Sequence, residues 1–160
     1  MVKQKINHHT AVDKAANDMI QNSRFHMTKN FIQHGSISVY AHCFSVAVMS
    51  IRIARFLKIK VDKTSLIRGA LLHDYFLYDW HDTNNSAHRL HGFTHPSTAL
   101  KNALEDFELS KKECDIIKHH MFPLVPAPPR CREAWIVCTA DKICALNETL
   151  FCRHSKPKGH

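Results

Sequence analysis

Asp62-Lys63-Thr64-Ser65-Leu66-Ile67-Arg68-Gly69-Ala70-Leu71-Leu72-His73-Asp74 is the stretch on which the fold turns. Asp62 is a strong helix N-cap, because its carboxylate can accept the unpaired N–H groups of the first turn. Leu66, Ile67, Ala70 and Leu71 then recur at helical spacing, so the helix buries this face and runs into His73-Asp74. Two ionisable side chains at the end of a buried helix need partners, since an unpaired polar group away from water is costly.

Working outward, residues 78 to 93 hold Asp79, Asp82, Asn84, Asn85 and Gly92 with three histidines, a composition that predicts a loop over a site, a candidate lid. Thr94 and Pro96 predict the next helix start, followed by Ala99, Leu100, Ala103, Leu104 and Phe107, with His95 at its N-terminus. Ser110-Lys111-Lys112-Glu113 is a capping-box pattern opening a short helix through Ile116, Ile117 and His120. Pro123, Pro126, Pro128 and Pro129 forbid its continuation. A last helix is predicted from Cys131 to Leu150, with Ala134, Cys138, Asp141 and Ala145 on one side.

Toward the N-terminus, a helix starting near Ser36 or Ser38 carries Val39, His42, Val46, Met49 and Ile53 along one face. Before it, Val12, Ala16, Met19 and Ile20 predict one further helix, with His34-Gly35 as its stop. No segment alternates as a strand. The expectation is an all-α protein: a compact helical bundle of about six helices. Residues 1–35 form an N-terminal helical segment packing on the core, 36–152 the main domain, and 153–160 a basic tail.

The chain has 160 residues, enough for one domain, with 44% hydrophobic and 22% charged residues, as in a globular protein. Its formal net charge of +8 favours an anionic partner. No run of five basic residues occurs, and Arg153, Lys156 and Lys158 read as a solvated tail, so nucleic acid is disfavoured as the partner. The cysteines at 43, 114, 131, 138, 144 and 152 form no CxxC pair, and a disulfide framework is not expected. Ser50, Arg52 and Arg55 interrupt the longest apolar segments, leaving none expected to span a membrane; the predicted location is cytoplasmic. The oligomeric state is left open, a homodimer included.

Histidine is the anomaly: there are 14, and seven fall between His73 and His120. His42, His73-Asp74, His95, His119-His120 and Asp141 each lie on, or at the end of, a separate predicted helix. Leaving so many groups buried and unpaired would cost about 1–3 kcal/mol each. A shared cation satisfies them together, and inward-facing ligands from several helices are a common way to build a di-metal centre.

With these residues in hand, the sequence resembles the HD-domain phosphohydrolase superfamily from about Ser38 to Leu146. The resemblance rests on Tyr40-Ala41-His42, Gly69-Ala70-Leu71-Leu72-His73-Asp74, Thr94-His95-Pro96, Ile116-Ile117-Lys118-His119-His120 and Ala140-Asp141-Lys142. It implies that His42, His73, Asp74 and Asp141 hold one metal, and that Asp74 bridges to a second held by His95 and by His119, His120 or both. Imidazole-rich ligands favour iron, manganese, zinc or nickel.

The implied activity is metal-assisted hydrolysis of a phosphorylated small molecule or nucleotide, with Asp74 central and a metal-activated water attacking phosphorus in line. Lys142, Arg68, Arg89 and Lys118 are candidate phosphate holders by proximity in sequence, although a basic residue near a site is more often a solvated charge or a salt-bridge partner. His91, and after it His88, are candidates to donate a proton to the leaving group or to contact substrate. Met121-Phe122-Pro123-Leu124 follows His120 where cyclic-dinucleotide hydrolases carry a glutamate and a later Gly-Tyr-Pro, so that substrate is disfavoured. The Thr-Thr-Gly segment of the dinucleoside-polyphosphate hydrolases is also absent. The competing readings are a metal-containing domain that binds or senses a nucleotide without turnover and, further off, a di-iron oxygenase.

Overall fold

The first helix, α1 (His8–Asn22), stops well before the His34-Gly35 end expected from sequence. Ser23 ends it: its hydroxyl donates to Met19 O at 2.8 Å and accepts from Phe25 N at 3.1 Å, closing α1 and opening a 3-10 helix, Arg24–Asn30. Phe25 is fully buried there, with the rings of Tyr40 and Tyr75 each 5.9 Å away. The computed structural model describes residues 8–79 and 91–154. The candidate lid therefore lies largely outside the described residues, as do His81, His88, Arg89 and the end of the basic tail.

Two strands follow, correcting the expectation of none: β1 (Ile32–His34) and β2 (Ile37–Ser38) pair antiparallel. Gly35, read as a helix stop, makes the turn instead with φ 58°, a left-handed conformation that glycine adopts freely. Ile32 opposes Ser38 and His34 opposes Ile37, which leaves Gln33 as the extra residue of a β-bulge.

Ser38 then caps α2 (Val39–Phe56), its hydroxyl accepting from Ala41 N at 3.2 Å. By length and composition α2 could cross a membrane, correcting the expectation that no segment approaches this. Here it is a core helix that buries Val39, His42, Val46, Ala47 and Ser50. Its end is a Schellman motif, with Ile59 N donating to Ala54 O at 2.9 Å and Lys58 N to Arg55 O at 3.1 Å. Lys58 takes the left-handed position, φ 53°, where glycine is usual.

α3 (Lys63–Leu72) starts as predicted, with the Asp62 carboxylate accepting from Thr64 N and Ser65 N at 3.1 and 3.2 Å. α4 (His91–Asp106) begins a turn before the predicted Thr94 and carries Pro96 inside it. Proline so near the start removes only an early backbone bond, so the helix tolerates it. α5 (Lys111–His119) has the full capping box: Ser110 Oγ accepts from Glu113 N at 3.2 Å, and Glu113 Oε2 accepts from Ser110 N at 2.6 Å. α6 (Arg132–His154) runs past the predicted Leu150.

α2 packs on α3 and α6, and α5 closes the bundle against α3, α4 and α6. The protein is all-α apart from the short hairpin, with Val46, Leu66, Leu71, Ile116, Ile117 and Val137 in the core. α1 lies on α2 and α3. Cysteines 43, 114, 131, 138 and 144 are free thiols.

Candidate metal centre

Six elements deliver polar side chains to one buried point: β1, the first turn of α2, the end of α3, the second turn of α4, the end of α5 and the middle of α6. His73, the C-cap of α3, is fully buried. Its Nδ1 lies 2.7 Å from Ala70 O, and a nitrogen facing a carbonyl must carry the proton. Whenever the ring is neutral, Nε2 is therefore the lone pair. It is buried without a hydrogen-bond partner, 3.4 Å from Asp74 Oδ2 and 3.6 Å from Asp141 Oδ1.

His120 uses the same device at the end of α5, its Nδ1 donating to Ile117 O at 2.8 Å. Its Nε2 then lies 2.9 Å from His95 Nε2 and 3.3 Å from Asp74 Oδ1, while His95 Nε2 is 3.1 Å from the same oxygen. Neither ring meets Asp74 Oδ1 with hydrogen-bond geometry, so this oxygen too is buried without a hydrogen-bond partner. On the other side His42 Nε2 lies 3.0 Å from Asp141 Oδ1 and 3.8 Å from Asp74 Oδ2, and His42 Nδ1 is 2.9 Å from Glu148 Oε2.

The electrostatics ask for positive charge. Burial opposes ionisation of Asp74 and Asp141, but the surrounding histidines outweigh it and hold both carboxyls well below the usual carboxylate range. Burial likewise opposes a charged His42, yet Asp141 and Glu148 push it up to about 10. His73 is raised against its burial chiefly by Asp74. His120, by contrast, is pulled down by burial and keeps a neutral ring. A proton or a metal ion can answer the same carboxylates, and only a metal uses the donor atoms of several rings at once.

His42, His73 and Asp141 form one group able to hold a metal; His73, Asp74 and His120 form a second, all ligand atoms of each group lying within 4.8 Å of one another. His95 adjoins the second through Asp74 and His120. The orphaned atoms, the nitrogen and carboxylate donors and the burial all fit a transition-metal ion.

Of the residues picked out in the sequence, His42, His73, Asp74, His95, His120 and Asp141 meet here. His119 does not: its Nδ1 pairs with Asp115 Oδ1 at 2.7 Å, and Asp115 Oδ2 takes the N–H groups of Arg130 and Cys131, each at 2.9 Å. Asp115 thus fastens the end of the proline-rich segment to α5, and His119 braces that carboxylate. Arg68 is also elsewhere, bonded to Glu113 Oε1 at 2.6 Å and Glu108 O at 3.0 Å near the opposite end of α5. Lys142 adjoins the centre, but its ammonium is committed to His120 O at 3.0 Å and to Cys138 O and Sγ, both at 3.2 Å. Lys118 is exposed on α5. His91 opens α4, and its side chain, like Arg89, lies outside the described residues.

Sequence reasoning missed Gln33, Asp115 and Glu148. Glu148 lies two turns beyond Asp141 on the same face of α6, and Asp115 one turn before His119 on α5, so helical periodicity could have found both. Gln33 Nε2 donates to Asp74 Oδ2 at 2.6 Å from the bulge of β1, which no periodic signal announces. The family model described as the HD domain matches residues 39–146. No curated protein and no solved structure matches the chain.

Proposed function

The chain belongs to the HD-domain superfamily of metal-dependent phosphohydrolases, and from that premise we propose that it hydrolyses a phosphate ester or nucleotide. The observation that carries the reading is the pair of buried donors without hydrogen-bond partners, His73 Nε2 and Asp74 Oδ1, at the centre of converging ligands. Two ions are favoured over one. His42, His73, Asp74 and Asp141 would hold the first, and Asp74, His95 and His120 the second.

When bound, such a metal supplies Lewis acidity and lowers the pKa of water from about 15.7 toward about 7, which makes a nucleophile available at neutral pH. The chain itself contributes orientation and dryness. Ala70 O and Ile117 O hold His73 and His120 in the tautomer that offers Nε2 inward. Glu148 does the same for His42 through Nδ1, an arrangement that also raises ligand basicity. Lys142 ties the His120 backbone to α6 and so acts on ligand position rather than on phosphate. The net charge of +8 suits a phosphorylated small molecule or nucleotide.

The test pairs metal quantification on protein purified without a histidine tag with a screen of phosphate esters and nucleotides. The expected result is co-purifying iron, manganese, zinc or nickel and turnover that disappears in Asp74→Ala and after chelation. Metal-replete protein inert across the panel would replace this reading with nucleotide binding without turnover.

A further inference from the structure

Asp74 is asked to serve two neighbourhoods at once. Its Oδ2 faces His73 and His42, while Oδ1 faces His95 and His120. Carboxylate rotation about Cβ–Cγ is soft, because this torsion has broad, roughly two-fold wells. Something must hold the plane if each oxygen is to keep its side. Among the described residues Gln33 Nε2 makes the shortest polar contact to this carboxylate, donating to Oδ2 at 2.6 Å, whereas the histidine nitrogens stand 3.1–3.8 Å from its oxygens.

The orientation of the Gln33 amide follows from chemistry. Turning its oxygen toward Asp74 would set acceptor against acceptor, so the NH2 group must face the carboxylate. Gln33 Oε1 is then left on the other side, buried and with no donor. The side chain, 7% exposed, arrives from a β-bulge, a distortion that re-aims a side chain next to an active site. Gln33 also lies before residue 39, where the family match begins, so membership does not assign it.

We infer that Gln33 is a positioning residue of the metal centre: its amide N–H, donated to Oδ2 at 2.6 Å, locks the plane of the Asp74 carboxylate so that Oδ1 stays toward His95 and His120. The inference rests on the metal-centre reading proposed above.

The experiment uses the full chain with Gln33→Met, which keeps the length and removes both amide functions. Mn2+ affinity is measured by competition with a chromophoric chelator, alongside melting of the metal-free protein and kcat and KM on any ester the wild type cleaves. The expected result is Mn2+ binding weakened about 10- to 100-fold, the magnitude typical for partners of metal ligands. Metal-free melting should hold and kcat should fall with KM unchanged. If Gln33→Met does not fold, Gln33→Asn, which keeps the amide and loses the reach, takes its place with the same expectation. A folded variant that binds Mn2+ as tightly as wild type overturns the inference. Wild type that cleaves no ester while Gln33→Met still weakens Mn2+ binding supports the positioning of Asp74 and removes only the phosphohydrolase reading.

Discussion

Gly69→Ala tests the contact on which the geometry of the site depends. Gly69 is buried in α3, facing α5. A Cβ there would overlap Ile116 Cδ1 and lie 3.1 Å from both Cβ and Cγ2 of the same residue. Ile116 is fully buried, so the surrounding core resists turning Cδ1 away, and Cβ is fixed to the α5 backbone; the two helices must part by a few tenths of an ångström. Overpacking of this kind costs about 1–3 kcal/mol, against roughly 1 kcal/mol gained by replacing glycine with alanine inside a helix. The net expectation is a destabilisation of about 1 kcal/mol. Ile116→Val removes only Cδ1 and alone should cost about 0.5–1.5 kcal/mol. In the Gly69→Ala background it removes the worst overlap, so the double variant should be more stable than the sum of the two singles by about 1 kcal/mol, beyond the 0.3–0.5 kcal/mol expected of independent sites. Urea titrations of all four metal-free proteins, followed by far-UV circular dichroism with the slope checked for constancy, measure the coupling. Because α3 ends in His73 and Asp74 and α5 in His120, Gly69→Ala should also weaken metal binding. Additive single effects would refute a close α3–α5 approach at Gly69.

The paired histidines should separate cleanly. His119→Ala should cost about 1–3 kcal/mol of stability through loss of its bond to Asp115 and retain the metal, whereas His120→Ala should lose the metal; melting and metal analysis of both check this. Lys58→Gly should stabilise the fold by roughly 1 kcal/mol, because it relieves a left-handed lysine, read in the same urea titration. Asp106 accepts from Arg24 Nε at 3.0 Å and Tyr75 Oη at 2.5 Å, and although burial opposes it these donors lower its pKa. A carboxyl depressed by folding adds stability that is present above its unfolded pKa of about 3.9 and lost as pH falls through the lower folded value. The stability gap between wild type and Asp106→Asn should therefore be constant from pH 7 to about 5 and narrow progressively as pH falls below about 4. A gap as wide at pH 2 as at pH 7 in urea titrations would contradict the assignment.

What the sequence made legible was local. The caps at Ser38, Asp62 and Ser110 could be read because a side chain satisfies N–H groups two or three residues away, and no distant residue has a say. The hairpin escaped because three residues pairing with two show no alternation, and a left-handed Gly35 serves a helix end and a turn alike. The clustered histidines and aspartates were legible because His42, the His73-Asp74 pair, His95, His120 and Asp141 belong to different helices whose buried faces converge. Arg68 was misplaced because closeness in sequence to Asp74 is distance along α3, roughly 9 Å at 1.5 Å per residue. Gln33 was hidden because its role depends on a bulge and on a partner far along the chain.

His119 and His120 look like a duplicated function, but the helix turns neighbours about 100° apart, so one faces the histidine–aspartate cluster and the other Asp115, whose second oxygen holds the Arg130 and Cys131 N–H groups. Neither is a spare for the other. Turning the His119 ring toward the cluster to stand in for a lost His120 would break its bond to Asp115, the carboxylate that holds the proline-rich segment. Two adjacent identical letters thus carry separate obligations, and the loss of either is a different failure.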